Sequence, residues 1–489
     1  MTNADRPSLR IAVFGEAHAL WPVAAALWAN LPPHAALTLV EQPARDDGPC
    51  ALTLPCNSAF HQRLNIDVEA LAGAAGARFG LGIDLQGWQG EDSQFFAAPS
   101  GTLPKINDIE LHHIMLRAAI ERGEPESLAY LLRPFRFAAR AAMAGKFAFP
   151  PDDRESPLQL LGPTIQVDRA RYGDFFEAFV RDAERLRSTP ASVDCEPEGA
   201  ISTVTLESGD AVAADLYIDV SGTLSALMPG DGRPESSPLN GFPPFDRIAC
   251  AFIEGGTRAG HGCTIAKALP GGVLVETPVG GGLVREYWHG SGADEAKAVA
   301  ETMGAPFDTA PFAYIHCGTP WTGNCVRLGP ASARLGPFHS ADAILLQEQA
   351  LDLVALLPAG PAMTVEARTF NAKHHQIVRQ LRDFALLPFV LNGRDEAVWT
   401  TIADAPAPDT LQLRLDQFRS RGRFVTFDRE MFDHQSWIDL MIGFGFAPER
   451  YDPLAGALDM KRLPPVLKQM VDAFSRTIDA MPPEKDTAS

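Results

Sequence analysis

The first apolar run of the chain, Ile11 to Phe14, is short and closes at Gly15. Behind it Trp21, Val23, Ala24, Leu27 and Leu31 recur at helical spacing, and a second apolar run, Leu37 to Val40, ends at the acid Glu41. A strand, a tight turn, a helix and a second strand ending in an acid is the outline of a dinucleotide-binding βαβ unit. In such a unit glycines let the backbone approach a pyrophosphate, the helix start offers free N–H groups, and the acid takes a ribose hydroxyl. Of the three glycine positions only Gly15 is glycine; Ala17 and Leu20 stand at the others. Gly15, Ala17 and Glu41 are the candidate cofactor contacts, and Leu20 is expected to push the helix away from the strand.

The pattern continues with helices predicted over 65–75, 109–121, 128–144 and 166–186. The last is capped by Asp168 and carries Tyr172, Phe175, Phe176, Phe179 and Val180 on one face. A strand with a turn is predicted over 79–88, and a strand pair over 201–219 around Ser208-Gly209-Asp210. Residues 229–243, rich in proline, glycine and serine, read as a boundary. Strands follow over 247–253, 272–277 and 283–288, then an apolar run at 324–328 ending in Gly329, a further cofactor candidate. Helices are predicted over 341–357, 365–386, 397–402, 410–421, 435–443 and 466–481. This order predicts an α/β chain in which a nucleotide-binding-type domain within 1–357 is assembled from about 8–90, 160–228 and 318–357. Substrate-type segments are inserted at about 91–159 and 229–317, a helical region spans 358–482, and 483–489 reads as a disordered tail. One nucleotide domain in three pieces fits an FAD/NAD(P)-binding Rossmann-like flavoprotein monooxygenase fold with β-strand insertions and a helical C-terminal region better than it fits a simple dehydrogenase.

Composition narrows the function classes. A chain of 489 residues, 46% hydrophobic, can bury a large core. The formal charge of −19 argues against nucleic acid and anionic membrane, since both need a basic face. No stretch approaches the ~20 apolar residues of a membrane span, and MTNADRPSLR has no signal-peptide core, so a soluble cytoplasmic protein is expected. The seven cysteines are scattered without a CxxC pair and are expected as reduced thiols. His112-His113 and His374-His375 are adjacent on predicted helices and are not expected to share a face; His261 with Cys263 and His316 with Cys317 are too close for a tetrahedral site. No metal site is expected. Trp88, Trp288 and Trp321 are read as core rather than as a pocket for an aromatic substrate, and Arg382-Asp383 and Arg394-Asp395 as helix-end and surface ion pairs.

Longer segments carry a family likeness. LPPHAALTLVE, GARFGLGIDLQGW, VDRARYGDFFEAF, ADLYIDVSG, WTGNCVRLGPASARLGPFHSADAILLQ and FNAKHHQIVRQLRDFALLPFVLNGRDEAVW occur in the order and places of the flavin-dependent tryptophan halogenases, which the chain resembles along most of its length. The resemblance implies reduced FAD and oxygen, oxidation of halide to hypohalous acid, and a tunnel leading to a lysine beside an aromatic substrate. It further implies a glutamate that orients the electrophile and a Ser-Thr pair that holds halide. This chain departs at those places. The lysine place is Gly80, with Arg78 nearby on the same strand; the glutamate place is His339; the Ser-Thr pair is Ser340-Ala341. The two tryptophans that keep flavin from ordinary monooxygenation become Val273 and Val275. A glycine-valine-glycine segment of the cofactor loop becomes Gly48-Pro49-Cys50, and Pro330 follows Gly329. Glycine has no amine, and a guanidinium stays protonated and is a poor nucleophile. The expectation is therefore a halogenase-like protein that has lost halogenation and tight FAD binding and serves as a repurposed binding or partner protein. The alternative is an FAD-dependent halogenase or monooxygenase for an aromatic substrate, rebuilt around His339 and Ser340, with His339 otherwise read as a packed histidine. A homodimer, or a heteromer with an intact paralogue, is carried over from the same resemblance.

Overall fold

The computed structural model describes residues 9–45, 48–98, 103–197, 199–229, 236–239, 241–256, 262–291, 295–360 and 362–484. The sequence outline of the start is realised directly. β1 (Leu9–Glu16) runs without a linker into α1 (Ala17–Trp28), and β2 (Ala35–Gln42) returns parallel to β1. The strand Leu216–Asp219 lies parallel on the other side of β1, followed by Cys325–Arg327; Glu184–Arg187 lies parallel beyond β2. An antiparallel edge, Trp321–Thr322, completes a six-stranded sheet. Strands covered on both faces read as continuous apolar runs, and Ile11–Phe14 and Leu216–Ile218 are fully buried.

A second sheet of seven strands is ordered Asp308–Pro311, Arg247–Glu254, Gly282–His289, Gly272–Val279, Thr264–Leu269, Ile83–Gln86, Gln94–Ala97. Between the two sheets stands a small antiparallel sheet in which Thr164–Asp168 pairs with both Ala51–Pro55 and Arg78–Gly80. The last third is helical: Thr364–Val390, Ala397–Asp404, Asp409–Arg421, His434–Gly443 and Leu463–Ala480. Among the described residues no helix is long and apolar enough to cross a membrane.

Several expectations are corrected. Residues 166–186 are not one helix. Gln166 to Asp168 end a strand, the helix is Arg169–Glu177, and Glu184–Arg187 is an edge strand against β2. Asp168 does cap it, accepting the N–H of Arg171 at 3.0 Å. The aromatic spacing that suggested a longer helix persists through the turn at Phe179, where strand pairing overrides it. Residues 128–144 are broken at Pro134, which lies in a 3-10 turn between Leu128–Leu132 and Phe137–Met143. Cys50 and Cys250, expected as free thiols, form a disulfide. Glu286, paired across the sheet from Cys250, accepts the N–H groups of Cys50 and Ala51 and draws that loop onto the strand. Arg394 is not a surface ion-pair partner of Asp395. It is buried, donates to the carbonyls of Gly87 at 2.7 Å and Ala268 at 3.1 Å, and pairs with Glu396. His261 and most of the predicted tail, residues 485–489, lie outside the described residues.

Candidate functional site

Open parallel sheets bind ligands beyond the carboxyl ends of their strands. Beyond β1, Leu216–Asp219 and Cys325–Arg327 lies a cavity of about 610 Å³, within the range of about 300–1,000 Å³ usual for ligand sites. Glu16 and His18 bring the end of β1 and the start of α1 to its wall; Gly48 and Pro49 come from the loop after β2; Pro330 and Ala331 follow the third strand. Asp219 holds the loop on the remaining side, accepting N–H groups from Ser221 at 3.2 Å, Gly222 at 2.7 Å and Ser225 at 3.0 Å.

The cavity is cationic. Arg45, Arg169, Arg327 and Arg334 line it, against the acids Glu16 and Asp342. Glu16 is neutralised in place: its carboxylate accepts both the backbone N–H and the Nε–H of Arg45 at 3.0 Å. Burial, with help from Arg169, Arg334 and Arg45, holds His18 well below its ordinary pKa, so it is a neutral imidazole. Burial also pushes Asp342 up to about 6, although the Leu335 N–H donates to it at 2.6 Å. Arginines converging on a helix start suit a pyrophosphate. Leu20 does not obstruct: it is fully buried in the core and absent from the wall, whereas Pro49 lines it. The residues present thus fit a dinucleotide.

The predicted cofactor residues sit around this cavity rather than on its wall. Gly15 is in β1, where the Val220 Cγ2 methyl already occupies the place of a Cβ. Ala17 begins α1. Glu41 pairs with Arg187 at 3.4 Å. Gly329 has a left-handed φ of +52° and donates its N–H to Gln349 Oε1 at 2.6 Å. The four arginines come from three segments far apart in the chain, around 45, 169 and 327–334, and no motif spacing marks them as a set.

At position 80 the backbone of Gly80 lies opposite Thr164, and a Cβ there would meet Gln166 Nε2 and, at 2.7 Å, the Gly262 carbonyl. Gln166 is wholly buried and neither end of its amide has a hydrogen-bond partner among the described residues. His339 and Ser340 are successive residues with left-handed φ, +55° and +49°. The His339 ring is enclosed by Phe384 at 4.7 Å, Phe432 at 5.5 Å and Phe338 at 6.2 Å between centroids, and burial lowers its pKa to about 3. Neither ring nitrogen has a hydrogen-bond partner among the described residues, so it is packed but not hydrogen-bonded. Ser340 Oγ accepts the Thr53 N–H at 2.7 Å. Val273 and Val275 are buried in the core. Trp88 packs on Phe338, Trp399 and Phe389 at 5.2–5.5 Å, Trp288 on Phe312 at 4.7 Å, and Trp321 on Phe370 at 5.7 Å.

A family model described as tryptophan halogenase matches residues 10–460. The chain belongs to the tryptophan halogenase family. Among curated proteins it is similar to Tryptophan 7-halogenase KtzQ of Kutzneria sp. (strain 744), 24% identical over 291 residues. That match covers 53% of this chain and only about half, 54%, of the relative. Among solved structures it is similar to Xcc4156, a flavin-dependent halogenase from Xanthomonas campestris, with a TM-score of 0.88 and 24% identity over 98% of this chain and 97% of that one. It is also similar to BrvH, a flavin-dependent halogenase from Brevundimonas sp. BAL3, with a TM-score of 0.86 and 24% identity over 97% of each chain. The fold of this halogenase-family chain is therefore the FAD-binding Rossmann-like one with a helical C-terminal region.

Proposed function

We propose that this member of the tryptophan halogenase family binds a flavin dinucleotide in the sheet-edge cavity but does not halogenate, and serves in a binding or partner role. Support for binding comes from the cavity of about 610 Å³ and the arginines on its wall. Arg45, Arg169 and Arg334 would hold the pyrophosphate, with the start of α1 beside them. Bound FAD would supply a redox-active ring. His18, kept neutral, adds no charge there, and Asp342 would trade a proton near pH 6.

The reading that halogenation is lost rests on one observation above the others. At Gly80 there is no amine, and the space of a side chain is already taken by the buried Gln166 amide. The acid–base role considered for His339 gains nothing from its surroundings, because its ring faces three phenylalanines and is not on the cavity wall.

The experiment combines two readouts. Purified protein with excess FAD should melt higher, since a ligand that binds only the native state must stabilise it. Supplied with a flavin reductase, NADH, oxygen and bromide, it should leave tryptophan and indole unbrominated by mass spectrometry. Bromination of either would overturn the loss of halogenation; no shift in melting with FAD would overturn the binding.

A further inference from the structure

Glu110, His112, His113 and His434 form a polar cluster whose residues do not line the flavin-type cavity, and in it the two adjacent histidines, not expected to share a helix face, lie close together. The His112 and His113 rings lie 4.0 Å apart between centroids, both buried. One ligand atom each from Glu110, His112 and His113 lie within 4.8 Å of one another. His112 Nε2 is 3.0 Å from the Gly422 carbonyl oxygen. A carbonyl only accepts, so Nε2 carries the hydrogen and Nδ1 presents a lone pair. That Nδ1 is fully buried, has no hydrogen-bond partner among the described residues, and faces Glu110 Oε2 at 3.8 Å. His434 Nε2 stands 3.9 Å from the same oxygen, on a side chain that is partly exposed. Glu110 Oε1 is held separately, accepting from Gln435 Nε2 at 2.9 Å.

His112 Nδ1 and His434 Nε2 thus both face the same oxygen, Glu110 Oε2. Lys105 lies 4.0 Å from the outer oxygen of Glu110, and Arg423 pairs with Asp452 at 2.9 Å while its Nε–H faces His113 Nε2 at 3.4 Å. Imidazole and carboxylate together suit a zinc-class divalent cation. The carbonyl on His112 Nε2–H and the amide on Glu110 Oε1 are the outer contacts that orient metal ligands. Bonds of about 2.0–2.1 Å would require these donors to close in by a few tenths of an ångström. We propose that Glu110, His112 and His434 bind a zinc-class divalent cation; His113 stays outside the set, its Nδ1 facing the Asp452 N–H at 3.3 Å and its Nε2 the Arg423 Nε–H at 3.4 Å. The ion would clamp the start of the Leu111–Arg122 helix to that of His434–Gly443, a structural role apart from the flavin-type site.

The test uses full-length protein stripped with a chelator. Calorimetric titration with zinc chloride should give one equivalent bound and a raised melting temperature. Cobalt(II) should give a ligand-field absorption that zinc abolishes. Glu110→Gln, which keeps the amide contact, and His434→Gln, at a partly exposed position, should each weaken zinc binding by about tenfold or more. Both should melt like wild type in chelator, which separates lost binding from lost folding. His34→Gln, on an exposed residue elsewhere, should bind as wild type. No stoichiometric zinc binding, or unchanged binding by Glu110→Gln and His434→Gln together, would overturn the proposal.

Discussion

Gln166 occupies what a side chain at position 80 would need. Gln166 lies on the strand between Arg78–Gly80 and Ala51–Pro55 with its side chain fully buried, and a Cβ on Gly80 would also press on the Gly262 carbonyl. Restoring lysine therefore does more than add an amine. Gly80→Lys should destabilise the fold by about 1–3 kcal/mol, as overpacked buried sites do. Gln166→Ala in the same chain should return part of that loss. The two changes share one space and should couple by about 0.5 kcal/mol or more in a double-mutant cycle measured by urea unfolding. Strictly additive effects would mean that the amide and the new side chain do not compete. Val220 does the same at Gly15, so that glycine serves close strand packing even before any phosphate is considered.

At the level of elements, the cavity depends on how α1 is seated. The Arg169–Glu177 helix lies behind it, and Gly173 is the contact. A Cβ there would strike the His18 backbone, with the Ala17 carbonyl at 3.0 Å. The same helix supplies Arg169 and Tyr172 to the cavity wall, and its Asp168 cap fixes where it begins. Gly173→Ala should thus lift the start of α1. Two effects are expected together: about 1–3 kcal/mol of lost stability in denaturant unfolding, and weaker FAD stabilisation in thermal melts. Asp168→Ala should cost about 0.5–2 kcal/mol through the lost cap alone. A Gly173→Ala protein that melts lower yet keeps its full FAD shift would show that the cavity does not rely on this packing.

Across the whole molecule, what the sequence disclosed and what it hid divide by range. The β1–α1–β2 unit was legible because its apolar runs are local and buried on both faces. The split of 166–186 was not, since strand or helix there is decided by partners at Thr38–Glu41 and Ala51–Pro55. The Cys50–Cys250 pair, the arginine-lined cavity and the Glu110–His112–His434 cluster all join residues distant in the chain, which spacing cannot reveal. Burial of histidines is similarly invisible in the sequence, and it sets how the protein responds to acid. Burial lowers His339 and His374 to about 3 and His61 to about 4. Their ordinary value is about 6.5, so below it the unfolded chain takes protons that the folded chain refuses. Stability is therefore full above about pH 6.5 and lost as the pH falls. At about 1.4 kcal/mol per pH unit, each of the three contributes about 2 kcal/mol of that loss by pH 5. Asp342 acts the other way, because its folded value of about 6 lies above its ordinary one, and it returns stability only below that pH. The histidines outweigh it. The urea midpoint should fall steeply between pH 7 and pH 5, by an amount that is a large share of the roughly 5–15 kcal/mol typical of a folded domain. A midpoint that holds level over that range would mean these imidazoles take up protons in the native state.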